Sequence, residues 1–220
     1  MASTHKFLAA AFTLSRVDRG EERLDRRIVY PRDKLVAYSP ATQKHVDGGM
    51  TVGELCEAAV TLSDNTAANL LLDALGGPAG FTRGARAGGD DVTRLDRIEP
   101  DLNESTPGDV RDTTTPAAMA ENLRKFVLGD ALTKASREQL AAWLIANTTG
   151  GKRLRAGAPA GWRVGDKTGS GGHGVTNDIA VIWPPDRGPL VVAAYYAESP
   201  ADEEARSAVL VAVARLAAAI

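Results

Sequence analysis

A chain of 220 residues with 44% hydrophobic and 25% charged side chains has the balance of a globular protein and can bury a sizeable core. Its formal net charge of −2 offers no footprint for nucleic acid, and no apolar run approaches the roughly 20 residues of a membrane-spanning helix. A single cysteine, Cys56, excludes an internal disulfide, and the scattered His5, His45 and His173 form no cluster with zinc spacing, so neither metal nor cofactor is expected.

In chain order, the segment from Ser3 to about Arg16 is apolar nearly all round, which predicts a helix buried on every side. Its "FLAAAFTL" run also suits an export leader, but no small-x-small cleavage site precedes "SRVDRGEERLD". "TVGELCEAAVTLSD" and "NTAANLLLDALGG" read as helices. Cys56 shares a stripe with Val52, Leu55, Ala59 and Val60 in the first, which makes it core filler; Gly76-Gly77-Pro78 punctuates the end of the second. "TPAAMAENLRKFVLGD", with Thr115 as cap and Pro116 at the first helical position, and "SREQLAAWLIANTTG" are further helices.

After Gly150 the pattern changes to short β-rich runs, "GWRVGDKTGS", "NDIAVIWPP" and "PLVVAAYYAES", as in an antiparallel meander. The closing segment predicts a helix with Val209, Val213, Leu216 and Ile220 on one face and acidic residues in its first turn. The expected fold is therefore α+β. Residues 1–149 form a helical lobe, residues 150–220 three antiparallel strands covered by the C-terminal helix, and a cleft lies between them.

The chemistry concentrates in four short stretches. Ser3 and Lys6 in "STHK" are three apart, hence neighbours on a helix surface, and a serine hydroxyl needs such a base to become a nucleophile. "SDN" (Ser63–Asn65), "RIEPDLN" (Arg97–Asn103) and "KTG" (Lys167–Gly169) follow in order. One such tripeptide is weak evidence, but all four in this order resemble the class A serine β-lactamases, over essentially the whole chain.

That resemblance implies a β-lactamase/transpeptidase-like fold and hydrolysis of penicillins and cephalosporins through an acyl-enzyme, which confers antibiotic resistance. In it Ser3 is the nucleophile, and the acylation base is Lys6, or Glu99 acting through a water. Ser63 passes a proton to the lactam nitrogen, Asn65 binds the substrate's side-chain amide, and Asp64 is scaffolding. Glu99 and Asn103 hold the deacylating water, while Arg97 and Asp112 close their loop and the Glu99-Pro100 bond is cis. Lys167, Thr168 and Ser170 grip the substrate carboxylate, and the backbone N–H groups of Ser3 and Ser170 form the oxyanion hole.

Arg153 matches a position from which one branch of the family adds a cation near that carboxylate. The alternative arginine on the following strand is absent, since Thr176 and Asn177 stand there. Tyr38 matches an aromatic residue at the pocket mouth. Ala2 and Gly171 occupy the places some carbapenem-hydrolysing members join by a disulfide, which weighs against that activity.

The resemblance further implies a monomeric protein, periplasmic or secreted, whose partner is a small-molecule β-lactam, with no membrane or nucleic-acid partner and no recognisable signal peptide in this chain. Relative to the family the first helix and first two strands are lacking. This predicts a poorly folding chain, and keeps open an inactive truncated fragment or a penicillin-binding D,D-peptidase that acylates without turnover.

Overall fold

The computed structural model describes residues 1–220. Ser3 lies in a tight 3-10 turn, Ala2–Thr4, that leads into α1 (His5–Asp18), and every residue of α1 from His5 to Leu14 is buried. The all-round apolar pattern thus makes α1 the axis of the main core. Around it pack α2 (Val52–Thr61), α3 (Asn65–Leu75), α4 (Gly77–Ala87) and α6 (Lys134–Ile145).

Local chemistry sets the helix starts. A capping box joins Thr51 and Glu54 at α2, and the Asp64 carboxylate accepts from Ala67 N at α3. Thr115 caps α5 (Pro116–Leu123), which runs on as a π-helical turn over Arg124–Leu128. A two-residue antiparallel pair, β1 (Arg27–Ile28) and β2 (Met50–Thr51), ties the loop before α2.

The main sheet is antiparallel in the order β3-β4-β5, formed by Arg163–Ser170, Thr176–Trp183 and Leu190–Tyr196. α5 and α6 pack on one face, α7 (Leu154–Gly157) and α8 (Glu203–Ala219) on the other. β4 shows why alternation holds here: Ile179 and Val181 enter the main core, while Ala180 and Ile182 join a second cluster with Leu210 and Ala214 of α8. β3 is the sheet edge that faces the 3-10 turn of Ser3. Only glycine fits at position 169 without displacement, because a Cβ there would lie 3.1 Å from Met1 O and 3.2 Å from Ser3 N.

Two expectations need correction. The stretch after Gly76, which reads in the sequence as punctuation, forms α4, and Gly80 and Gly84 are packing residues: a Cβ on Gly80 would lie 2.0 Å from Leu75 O and one on Gly84 3.0 Å from the Phe12 ring. The inward face of α8 is Ser207, Leu210 and Ala214, not the predicted stripe. Small residues win there because α7 sits so close that a Cβ on Gly157 would meet Ala214 Cβ at 2.7 Å. Val209, Leu216 and Ile220 are consequently exposed, and Val213 is only partly buried.

Candidate active site

The turn between α2 and α3 carries the first functional group. Ser63 has a left-handed backbone, φ 58°, a conformation that costs free energy for a non-glycine residue and clusters at functional sites. Asp64 anchors this turn, accepting from Ala41 N, Thr42 N and Thr42 Oγ1, each at 2.9 Å. Asn65 donates from Nδ2 to Ala37 O at 2.8 Å and from its backbone to Tyr38 O at 2.9 Å, which fixes Tyr38 as an exposed ring at the cavity mouth.

The loop between α4 and α5 carries the second group. Arg97 Nε lies 2.6 Å from Asp112 Oδ2, and Asp112 Oδ1 accepts from the backbones of Asp96 and Arg97, so the loop is closed at both ends. Asn69 of α3 then clamps the Glu99 backbone with reciprocal bonds of 2.9 Å, and the Glu99-Pro100 peptide is cis. Glu99 is thereby fully buried, with Asn103 Nδ2 donating to its Oε2.

At the centre, Glu99 Oε1 accepts from Ser3 Oγ at 3.2 Å and lies 2.9 Å from Lys6 Nζ. Lys6 also donates to Asn65 Oδ1 at 2.6 Å, Ser63 O at 2.8 Å and Ser63 Oγ at 3.3 Å. Lys167 Nζ reaches the same Ser63 oxygen at 3.0 Å. Ser63 Oγ therefore accepts from Lys167 and shares one of the three Lys6 hydrogens, and its own hydrogen is free to point into the cavity.

Burial makes both lysines more acidic than free lysine. For Lys6 the Glu99 carboxylate opposes this, whereas Lys167, facing the Lys6 charge as well, is lowered to about 7. Burial pulls Glu99 upward, but Lys6 and the hydrogen bonds of the site override it and hold the carboxyl below its ordinary value, ionised at neutral pH.

The cavity over this cluster has a volume of about 370 Å³. Ser3, Tyr38, Ser63, Asn65, Asn103, Arg153, Thr168 and Ser170 line it, while Lys6, Glu99 and Lys167 lie buried behind that lining. Arg153 is buried rather than solvated: Nη1 donates to Gly169 O at 3.0 Å and Asn177 O at 2.8 Å, and Nη2 to Ser170 Oγ at 2.6 Å.

Thr149, whose Oγ1 is 2.6 Å from that of Thr168, and Glu203 also line the cavity, and neither belongs to a motif visible in the sequence. Asn69, which bonds the Glu99 backbone, is announced only by its four-residue step from Asn65, which places both on one face of α3. Asp166, held by Arg155 Nε at 2.9 Å and Asn147 Nδ2 at 2.7 Å, braces the strand next to Lys167; nothing local in the sequence announces that pairing.

A serine hydroxyl, a buried lysine and an ionised glutamate converge beside a sheet edge as a serine hydrolase requires, and comparison with known proteins agrees. The model of the beta-lactamase enzyme family matches residues 1–220. Beta-lactamase OXY-1 of Klebsiella oxytoca is 50% identical over 216 residues, covering 98% of this chain and 74% of that protein. Beta-lactamase CTX-M-25 of Escherichia coli is 51% identical over 216 residues, with coverage of 98% and 74%. A solved structure of the class A beta-lactamase of the last common ancestor of Gram-negative bacteria superimposes with a TM-score of 0.98 at 67% identity, covering all of this chain and 84% of that one. This chain belongs to the beta-lactamase enzyme family, and within it to the class A serine β-lactamases.

Proposed function

We propose that this chain hydrolyses penicillins and cephalosporins through a covalent Ser3 intermediate. The observation that carries the reading is the convergence of Ser3 Oγ and Lys6 Nζ on a single oxygen, Glu99 Oε1, at 3.2 Å and 2.9 Å. A hydroxyl whose acceptor is an ionised carboxylate is activated without a metal.

The contacts support a closed proton route. As Ser3 Oγ attacks the lactam carbonyl carbon, its proton passes to Glu99 Oε1. When the C–N bond breaks, Ser63 gives its free hydrogen to the lactam nitrogen. Lys6 Nζ, 3.3 Å away, replenishes Ser63 and regains a proton from Glu99. All three groups return to their starting states, and Glu99 is again a carboxylate. It then takes a proton from the water that attacks the ester, and Ser3 leaves with a proton restored. The backbone N–H groups of Ser3 and Ser170 receive the developing oxyanion. Lys167, Thr168, Ser170 and Arg153 form the end that binds the substrate carboxylate, and Asn65 and Tyr38 flank the substrate side chain.

In this reading residues 1–149 supply the nucleophile, its bases and the Glu99 loop, and residues 150–220 the carboxylate end. The protein acts in the periplasm or after secretion, as a monomer. The test is hydrolysis of a chromogenic cephalosporin by the wild type and by Ser3→Ala, which is expected to be slower by about 10³-fold or more. Equal rates contradict the reading, and a stable stoichiometric adduct on the wild type would mark a penicillin-binding protein instead.

A further inference from the structure

Two residues lining the cavity carry formal charge, Arg153 and Glu203, and the mechanism uses only the first. Glu203 is the first residue of α8, positioned by Asp202, whose Oδ1 accepts from Ala205 N at 2.8 Å. Its Oε1 stands 3.8 Å from Arg153 Nη2, with the glutamate side chain 76% exposed and that of Arg153 7% exposed. Arg153 does not depend on this partner, because two backbone carbonyls and Ser170 Oγ already hold its guanidinium. Glu203 is thus a solvated negative charge at the lip of the cavity, beside the end that takes the substrate carboxylate.

We propose that Glu203 is a specificity-determining residue that reads the charge of the substituent next to the substrate's carboxylate, favouring cationic groups there and disfavouring anionic ones. The inference rests on the carboxylate-binding role given above to Arg153 and Lys167. A unit charge about 6 Å from Glu203 in water-like surroundings changes the free energy of binding by an amount equal to about threefold in affinity. The interaction is exposed, so salt screens it.

The experiment compares wild type, Glu203→Gln and Glu204→Gln on two cephalosporins of equal ring reactivity, one with a pyridinium and one with a carboxylate on the ring substituent beside the carboxylate. Glu204 is the neighbouring acid of the same helix turn and lies outside the cavity lining, so it controls for effects on α8. Glu203→Gln is expected to lower kcat/KM about threefold for the cationic substrate and raise it about threefold for the anionic one, through KM rather than kcat. Both changes vanish in 1 M salt, where the screening length is about 3 Å, and Glu204→Gln leaves both substrates near wild type. Changes of the same sign for the two substrates, changes that persist in 1 M salt, or no change overturn the proposal. Wild-type turnover of either substrate in the same assay keeps that failure separate from a failure of the catalytic reading.

Discussion

The Lys6 ammonium lies 2.9 Å from Glu99 Oε1, and neither side chain reaches solvent. Removing one partner of such a pair leaves an uncompensated buried charge, which costs about 3–5 kcal/mol. Lys6→Met is expected to lose about that much stability in urea unfolding. Lys6→Met/Glu99→Gln removes both charges and is expected to recover most of the loss while remaining inactive, which separates the structural role of the pair from its chemistry.

Lys167 gives activity and stability opposite pH dependences. Burial and the Lys6 charge lower its ammonium to about 7 in the folded chain, against 10.5 for the free group. Above about pH 7 the folded protein loses the cation to which the proposed mechanism gives the substrate carboxylate, so kcat/KM is expected to fall. Between about 7 and 10.5 the unfolded chain binds more protons than the folded one, so this residue makes stability rise with pH over the same window. Lys167→Arg, always charged, is expected to remove the alkaline fall in kcat/KM. A pH profile of kcat/KM beside urea midpoints checks both signs.

His5 is a liability within α1. Nδ1 is 3.0 Å from Ala2 O, a carbonyl that can only accept, so Nδ1 carries the hydrogen; Nε2 is a buried acceptor with no partner. Burial lowers the imidazole to about 4. The unfolded chain therefore takes up this proton first, and stability falls as pH drops from about 6.5 to about 4, by about 3 kcal/mol. His5→Phe, set against Phe81 at a centroid distance of 6.2 Å in wild type, is expected to raise stability by about 1 kcal/mol at neutral pH and by more at pH 4. Thermal unfolding at the two pH values measures this.

Asp112 closes the Glu99 loop, accepting from the Arg97 side chain and from two backbone N–H groups. Asp112→Ala orphans those partly buried donors at a cost of about 1 kcal/mol and loosens the loop that presents Glu99. Pre-steady-state kinetics are expected to show deacylation slowed more than acylation, seen as a burst absent from the wild type.

The chemistry was far more legible in the sequence than the packing. Ser3 and Lys6 stand out by their three-residue spacing, whereas Ser63, Glu99 and Lys167 stand out through the resemblance of their motifs to the class A enzymes, and the fold brings all five into one hydrogen-bonded cluster. The α4 helix was not, because Gly80 reads locally as a breaker while its real constraint is the carbonyl of Leu75 against it. The buried face of α8 is hidden from the sequence for a related reason: hydrophobicity marks Val209 and Leu216, whereas the closeness of α7 selects Ala214 and Ser207. Asn69 and Glu203 are hidden for the same reason, since each meets its partner, Glu99 or Arg153, only from a segment distant in the chain.

In the proposed reaction Glu99 activates the water that frees Ser3. Intact-mass spectrometry of Glu99→Gln mixed with a penicillin tests it most directly. With the carboxylate gone, Lys6 loses its counter-ion and its amine can accept the Ser3 proton, but nothing prepares water for attack. The expected result is an adduct of the whole penicillin mass that persists for minutes, maps to Ser3 and never accumulates on the wild type. Wild-type turnover by Glu99→Gln, or an adduct that survives in Ser3→Ala, contradicts the account.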